Sequence, residues 1–287
     1  MRRSPHRFGG SWTEDKLNRL SRYLRAYTTA LKKQRFRLLY VDAFAGTGYR
    51  AMREDPEAYG LFQEPEGAEL AKGSARVALE VDPPFHKYIF IEKDPAKFHE
   101  LSLLRDQFPD RQIELINGDS NQAITRICRG TEWRTHRAVA FLDPYGMQVE
   151  WSTIQEIART ACIELWYLFP VSMIMRLTPH NGQVPEGWAA ALDKILPDSN
   201  WRTEFYTDLN EPDLFDVAIL KRQRLVNINS VEQYLINGMN QIFAGVGEKA
   251  VPLRNSKGSC MYLLTFAVGN PRGADLALRM ARSVLKS

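Results

Sequence analysis

Five short runs in the first 170 residues are apolar at nearly every position: 38–42 (LLYVD), 88–92 (YIFIE), 113–116 (IELI), 138–142 (AVAFL) and 163–169 (IELWYLF). A strand wetted on one face alternates apolar with polar residues; one covered on both faces does not. With helix-compatible stretches between them, these runs predict parallel strands joined by right-handed crossovers in a layered α/β fold. Near the end, residues 250–253 and 261–268 flank the turn Asn255-Ser-Lys-Gly258, which predicts an antiparallel hairpin before a helix over 274–285. At the start, Ser11 and Glu14 have capping-box spacing. Leu17, Leu20, Leu24, Tyr27 and Leu31 then recur at helical spacing, so a long amphipathic helix should precede the first strand.

The expected architecture is a Rossmann-like doubly wound domain. It has a mostly parallel seven-stranded sheet, a terminal antiparallel hairpin and an N-terminal helix. Residues 1–287 show no internal repeat and no second apolar core, so one domain is expected. Two segments interrupt it. Residues 50–73 are rich in Pro, Glu and Gly without periodicity, which predicts a lid or partner-binding insertion. Residues 178–250 read as a mainly helical insertion before the hairpin.

Charge and cysteine content exclude several classes. The net charge of +4 is mildly basic, with small clusters at 32–37 and 221–224, which permits nucleic acid without demanding it. Cys128, Cys162 and Cys260 are scattered and form no CxxC pair, so neither a disulfide framework nor a zinc site is expected. The five histidines show no metal-ligand spacing. The longest apolar stretch, 163–177, is broken by Glu164, Pro170 and Arg176, too short for a spanning helix. The basic N-terminus leads into no apolar region of the secretory kind, so a cytoplasmic address is expected.

In doubly wound sheets, ligands sit beyond the carboxyl ends of the strands. Four ends here carry polar signatures: Asp42-Ala-Phe44-Ala45-Gly46-Thr47-Gly48, then Glu92-Lys93, then Asp119-Ser120, then Asp143-Pro-Tyr145-Gly. Each suits one part of S-adenosylmethionine. Gly46 and Gly48 let backbone approach the methionine portion. Glu92 can accept from both ribose hydroxyls, and Asp119 from the adenine amine. Asp143 can face the methionine ammonium or a substrate donor, and Tyr145 offers a flat surface for stacking. The turn Gly46-Thr-Gly-Tyr-Arg-Ala51 also matches the dinucleotide pattern GxGxxA, although Pro56 and the distant Glu92 fit that pattern poorly. Asp119 could equally serve an Asx-turn.

Asp42-Ala-Phe-Ala-Gly-Thr-Gly resembles the first motif of S-adenosylmethionine-dependent methyltransferases. Several stretches together resemble one family, the three-Cys-motif partner proteins (TcmP): GGSWTEDKL at Gly9, YVDAFAGTGYR at Tyr40, GSARVALEV at Gly73, YIFIEKDP at Tyr88, FLDPYGMQVEW at Phe141, LWYLFP at Leu165 and GNPRGADLALRMA at Gly269. The resemblance implies a class I methyltransferase-like fold and a partner encoded nearby. That partner would carry three cysteines of the iron–sulfur or radical type. Asp143-Pro-Tyr-Gly is closer to the Asp-Pro-Phe-Gly of a tRNA guanine-methylating family than to the motif of DNA-adenine enzymes, which keeps an exocyclic amine of a nucleic acid or nucleotide as acceptor. Two readings follow. One is an active methyltransferase with Asp143 and Tyr145 as catalytic residues. The other is a non-catalytic module that recognises or stabilises the three-Cys partner.

Overall fold

The computed structural model describes residues 11–47, 49–51, 70–212 and 218–286. The chain opens with α1 (Ser11–Leu31), runs through β1 (Arg37–Asp42), and pairs β2 (Tyr49–Ala51) with β3 (Leu70–Lys72) in a separate two-stranded ladder. The intervening part of the predicted lid lies outside the described residues. Then follow α2 (Ser74–Leu79), β4 (Lys87–Glu92), α3 (Pro95–Asp106), β5 (Ile113–Asn117), α4 (Ser120–Gly130), β6 (His136–Leu142), α5 (Trp151–Arg159) and β7 (Ile163–Phe169).

After β7 come α6 (Val171–Leu177), α7 (Glu186–Ile195), α8 (Trp201–Glu204), β8 (Tyr206–Pro212), β9 (Ala218–Arg224) and α9 (Ile228–Asn240). The chain then forms β10 (Gly245–Val246), β11 (Val251–Arg254), β12 (Cys260–Val268) and α10 (Ala274–Leu285). The central sheet runs β10-β12-β7-β6-β1-β4-β5, with β11 also on β12. Strands β7, β6, β1, β4 and β5 are parallel; β12 is antiparallel to β7. This is the Rossmann-like methyltransferase arrangement. Where one outer strand would suffice, two short ones share β12, bringing the described sheet to eight strands. The chain breaks between them at 247–250, where Gly247 N–H donates to Phe266 O (2.9 Å).

The segment before the closing strands carries a feature absent from its sequence reading. Besides α7, α8 and α9 it holds the antiparallel pair β8–β9, in register from Tyr206 opposite Arg224 to Pro212 opposite Ala218. The sequences YTDLNEP and AILKRQR lack the strict alternation that flags a hairpin.

Alternate residues of each inner strand feed two cores. Leu39, Val41, Ala140, Leu142, Tyr167 and Phe169 face α4, α5, α6, α7 and α9. Leu38, Tyr40, Val139, Phe141, Trp166 and Leu168 face α1, α2, α3 and α10. The second core is unusually aromatic: Trp166 packs at 5.0 Å from Tyr23 and 5.2 Å from Phe266, centroid to centroid. Among the described residues no helix is long and apolar enough to cross a membrane.

At the amino end of β7, Tyr23 of α1 donates a hydrogen bond to Glu164 Oε2. Burial pushes the Glu164 carboxyl up to about 8, against the opposing pull of the Tyr23 hydroxyl. The folded state thus keeps a proton that the unfolded chain releases near the ordinary Glu pKa of about 4.3. Between those values unfolding is favoured progressively as pH rises. Thermal melts should show stability falling from about pH 5 to pH 8, and Glu164→Gln should flatten that slope. An unchanged slope would mean the carboxyl titrates normally.

Candidate functional site

The glycine turn after β1 is pinned from three sides. Ala43 N–H donates to Phe141 O and Ala45 N–H to Ile91 O (both 3.1 Å), so the turn continues the ladders of its two neighbours. From α4, the Ser120 hydroxyl donates to Ala43 O (2.5 Å). Within the turn, Phe44 N–H donates to Asp42 Oδ1 (3.2 Å). Gly46 has φ +60°, the left-handed region where a side chain is strained. Its N–H donates to Glu92 Oε2 (3.0 Å), while Asp94 N–H donates to Glu92 Oε1 (2.8 Å). A single carboxylate therefore fixes the ends of β1 and β4 together.

Beside this turn lies a cleft of about 290 Å³ over the carboxyl ends of β1, β4 and β5. Of the residues singled out by sequence, Phe44, Glu92, Lys93, Asp119, Ser120 and Tyr145 line it. Asp42 and Ala45 are buried beneath the turn, and Gly46 and Thr47 are half-buried on it. Gly48 lies outside the described residues. Asp119 Oδ1 accepts from Asn121 N–H (3.0 Å) and Gln122 N–H (3.2 Å), so it caps α4 as an Asx-turn would. The same acid also lines the cleft.

Sequence reasoning passed over the far wall, formed by Asn121, Gln148 and Glu150. Asn121 binds the β6–α5 connection on three counts. Its Nδ2 donates to Gln148 O (2.8 Å), and its Oδ1 accepts from Glu150 N–H (3.0 Å) and the Thr153 hydroxyl (2.7 Å).

Asp143 stands apart from the cleft lining, one step further round the strand ends, with 24% of its side chain exposed. Its Oδ2 forms an ion pair with Lys16 of α1, which is buried. This partner was legible only as an anomaly: a cation next to Leu17 and four residues before Leu20, on the helix face that goes inward. Tyr262 of β12 also belongs here. Burial and then the charge of Asp143 raise its hydroxyl, and a backbone hydrogen bond from Gly146 lowers it. Tyr145 is 53% exposed, with Lys97 Nζ 4.7 Å from its ring centroid.

Beneath this group, burial pushes the Asp42 carboxyl up to about 7; Ser74 and Phe44 N–H oppose it, and the nearby charge of Asp143 adds to it. The arrangement thus offers a cleft lined by three carboxylates, Glu92, Asp119 and Glu150, and by the exposed ring of Tyr145, with the partly exposed Asp143 one step beyond. Among the described residues no three His, Cys, Asp or Glu side chains cluster as a metal site.

No family model and no curated protein matches the chain. Among solved structures it is similar to protein LPL1258 from Legionella pneumophila str. Philadelphia 1, of the DUF519 family. The TM-score is 0.53 at 15% identity, over 97% of this chain and 91% of that one, which shows a shared fold. Trm1 from Pyrococcus horikoshii, solved with S-adenosyl-L-methionine, aligns at TM-score 0.42 and 12% identity over 92% of this chain and 58% of its own. An S-adenosylmethionine-dependent methyltransferase from Clostridium acetobutylicum aligns at 0.39 and 10% identity, over 88% and 92%. At those last two scores the likeness is too loose to bear on chemistry.

The Asn121 clamp gives a direct test of how the cleft wall is held. Asn121→Ala removes three hydrogen bonds and leaves Glu150 N–H without its acceptor, so urea denaturation should register a loss of about 1–3 kcal/mol.

Proposed function

We propose that the chain binds S-adenosylmethionine and transfers its methyl group to an amine nitrogen of a nucleic acid or nucleotide. One observation carries this reading: Glu92, Asp119 and Tyr145 line a single cleft beside a pinned glycine turn, and Asp143 follows at the end of β6, two residues before Tyr145. The donor and acceptor sets suit the group. Each Glu92 oxygen accepts one backbone N–H and retains a lone pair, which is what two ribose hydroxyls require. Asp119 spends Oδ1 on the α4 cap, leaving Oδ2 for the adenine amine. Phe44, Lys93 and Ser120 complete the near wall.

S-adenosylmethionine supplies an electrophilic methyl on a sulfonium, so the protein's task is chiefly to position the acceptor. Asp143 does this from Oδ1, accepting an N–H of the target amine while Lys16 holds Oδ2 and fixes the carboxylate plane. The same carboxylate can take the proton that the amine loses once methylated. Tyr145, exposed and backed by Lys97, packs against a flat acceptor.

The Lys16–Asp143 pair also favours a second reading. An acid already neutralised by a buried lysine suits a scaffold that methylates nothing and serves a partner, which by the TcmP resemblance is a nearby-encoded three-Cys-motif protein. The two readings part on measurement. Under the first, calorimetry detects the cofactor, and Glu92→Ala weakens it at least about tenfold, a loss of about 1.4 kcal/mol. Asp143→Asn should leave cofactor affinity within about threefold and lower methyl incorporation by about 10²–10⁴. Lys16→Met should lower incorporation with cofactor affinity retained. No cofactor binding overturns both the site and the reaction. Cofactor binding without methylated product, together with co-purification of a cysteine-motif neighbour, supports the scaffold instead.

A further inference from the structure

Between residues 16 and 41 the sequence contains eight Lys or Arg and no Asp or Glu. A solvated helix face ordinarily interleaves both signs, gaining pairs at i,i+4. Here the only acids of α1 are Glu14 and Asp15 in its first turns, and Asp15 is engaged with Arg19 (2.9 Å). The structure sorts the cations. Lys16 and Arg19 turn inward, to Asp143 and to Val284 O. Arg22, Arg25, Lys32, Lys33, Arg35 and Arg37 are exposed.

The described exposed positions of α1 are Glu14, Asn18, Arg22, Arg25, Thr29 and Ala30; all but Ala30 share one stripe, which opens on its single acid, Glu14, and is continued by Lys32 just past the helix. From Arg22 to Lys32 this spans about 15 Å at helical rise. Alongside runs α10, whose last turn is tied to α1 by the Arg19–Val284 bond. It and its flanks add exposed Arg272, Arg279, Arg282 and Lys286 against a single acid, Asp275. Arg282 is paired with Glu248 (2.6 Å) and Arg22 is engaged as well, so neither contributes its full charge.

We propose that the outer face of α1, flanked by α10, is a docking track for the phosphate backbone of a nucleic acid whose target base enters beside Asp143. The proposal rests on the nucleic-acid substrate reading above and gives it a place on the surface. Two features select this occupant over an acidic protein. On the stripe itself no apolar or aromatic residue is exposed, and its neighbours add only Ala30 and, on α10, Leu276, whereas protein interfaces are anchored by clusters of such residues at their centre. Cations of one sign repeated along a straight element match a ligand whose charge repeats along its length. The track also begins near the site: Lys16, which holds Asp143 from the inner face of the same helix, lies about 9 Å along its axis before Arg22.

The test is fluorescence anisotropy on the full chain with a labelled 20-nucleotide RNA, the same sequence as DNA, and an RNA duplex, at 50, 100 and 200 mM KCl. Two double variants probe the track: Arg22→Gln with Arg25→Gln, and Lys32→Gln with Lys33→Gln. Each should weaken binding of the preferred oligonucleotide several-fold and reduce the magnitude of the salt slope by about 1.4–1.8, from about 0.7–0.9 per lost contact. Arg129→Gln with Arg159→Gln, on α4 and α5 at the other face of the sheet, should bind as the unaltered chain does. Calorimetry with S-adenosylmethionine on the same variants separates outcomes. Retained cofactor affinity with lost oligonucleotide affinity supports the track. Oligonucleotide binding unchanged by both α1 variants overturns it, whatever the cofactor does. So does an unaltered chain that ignores all three oligonucleotides but binds polyglutamate.

Discussion

One carboxylate does most to make a site out of strand ends. Glu92 accepts from Gly46 on one side and from Asp94 on the other, and so fixes the β1 turn against the end of β4. Parallel strands end with backbone groups that their own ladder cannot satisfy, and a buried group of that kind must find a partner. Here side chains supply the partners: Glu92 for two N–H groups, Asp119 for two more, Ser120 and Asn117 for the carbonyls of Ala43 and Glu92. The cleft keeps its shape because the residues that wall it are also those that close the backbone.

Both ends of the sheet hold an acid out of water. Asp42 at the carboxyl end and Glu164 at the amino end are each raised, to about 7 and about 8, with burial as the leading cause. Among the described residues neither has a cation in direct contact in the manner of Asp143. Their cost falls on folding stability near neutral pH, since the unfolded chain ionises them freely. Asp42 adds a local effect: the less charge it carries, the less it competes with Asp143 for Lys16.

The parts of the molecule set by burial were plain in the sequence. Strands apolar on both faces announced the parallel sheet, and the inward stripe of α1 announced its packing. Polar strand ends identified Glu92, Lys93, Asp119 and Tyr145, which do meet around one cleft. What stayed hidden depends on partners distant in sequence. Lys16 meets Asp143 across 127 positions, and although a cation on the inward face of α1 is an anomaly, nothing local to it names its partner. Asn121 was passed over because its three bonds, to Gln148, Glu150 and Thr153, join positions about thirty residues away. The β8–β9 hairpin escaped because its sequence never alternates, and the divided outer strand because a short break looks like a turn.

The Lys16–Asp143 pair also ties the strand ends to both ends of the described chain. Asp143 is reached midway along the chain, while α1 is seated on β7 through Tyr23, which meets Glu164 and Trp166, and on the last elements through Phe266 of β12 and the Arg19–Val284 bond. Closing the long loop between Lys16 and Asp143 carries an entropic cost that this shared seating of α1 offsets. The orientation of Asp143 is thus coupled to how firmly α1 and α10 are packed, so a change at the last helix can be felt at the strand ends.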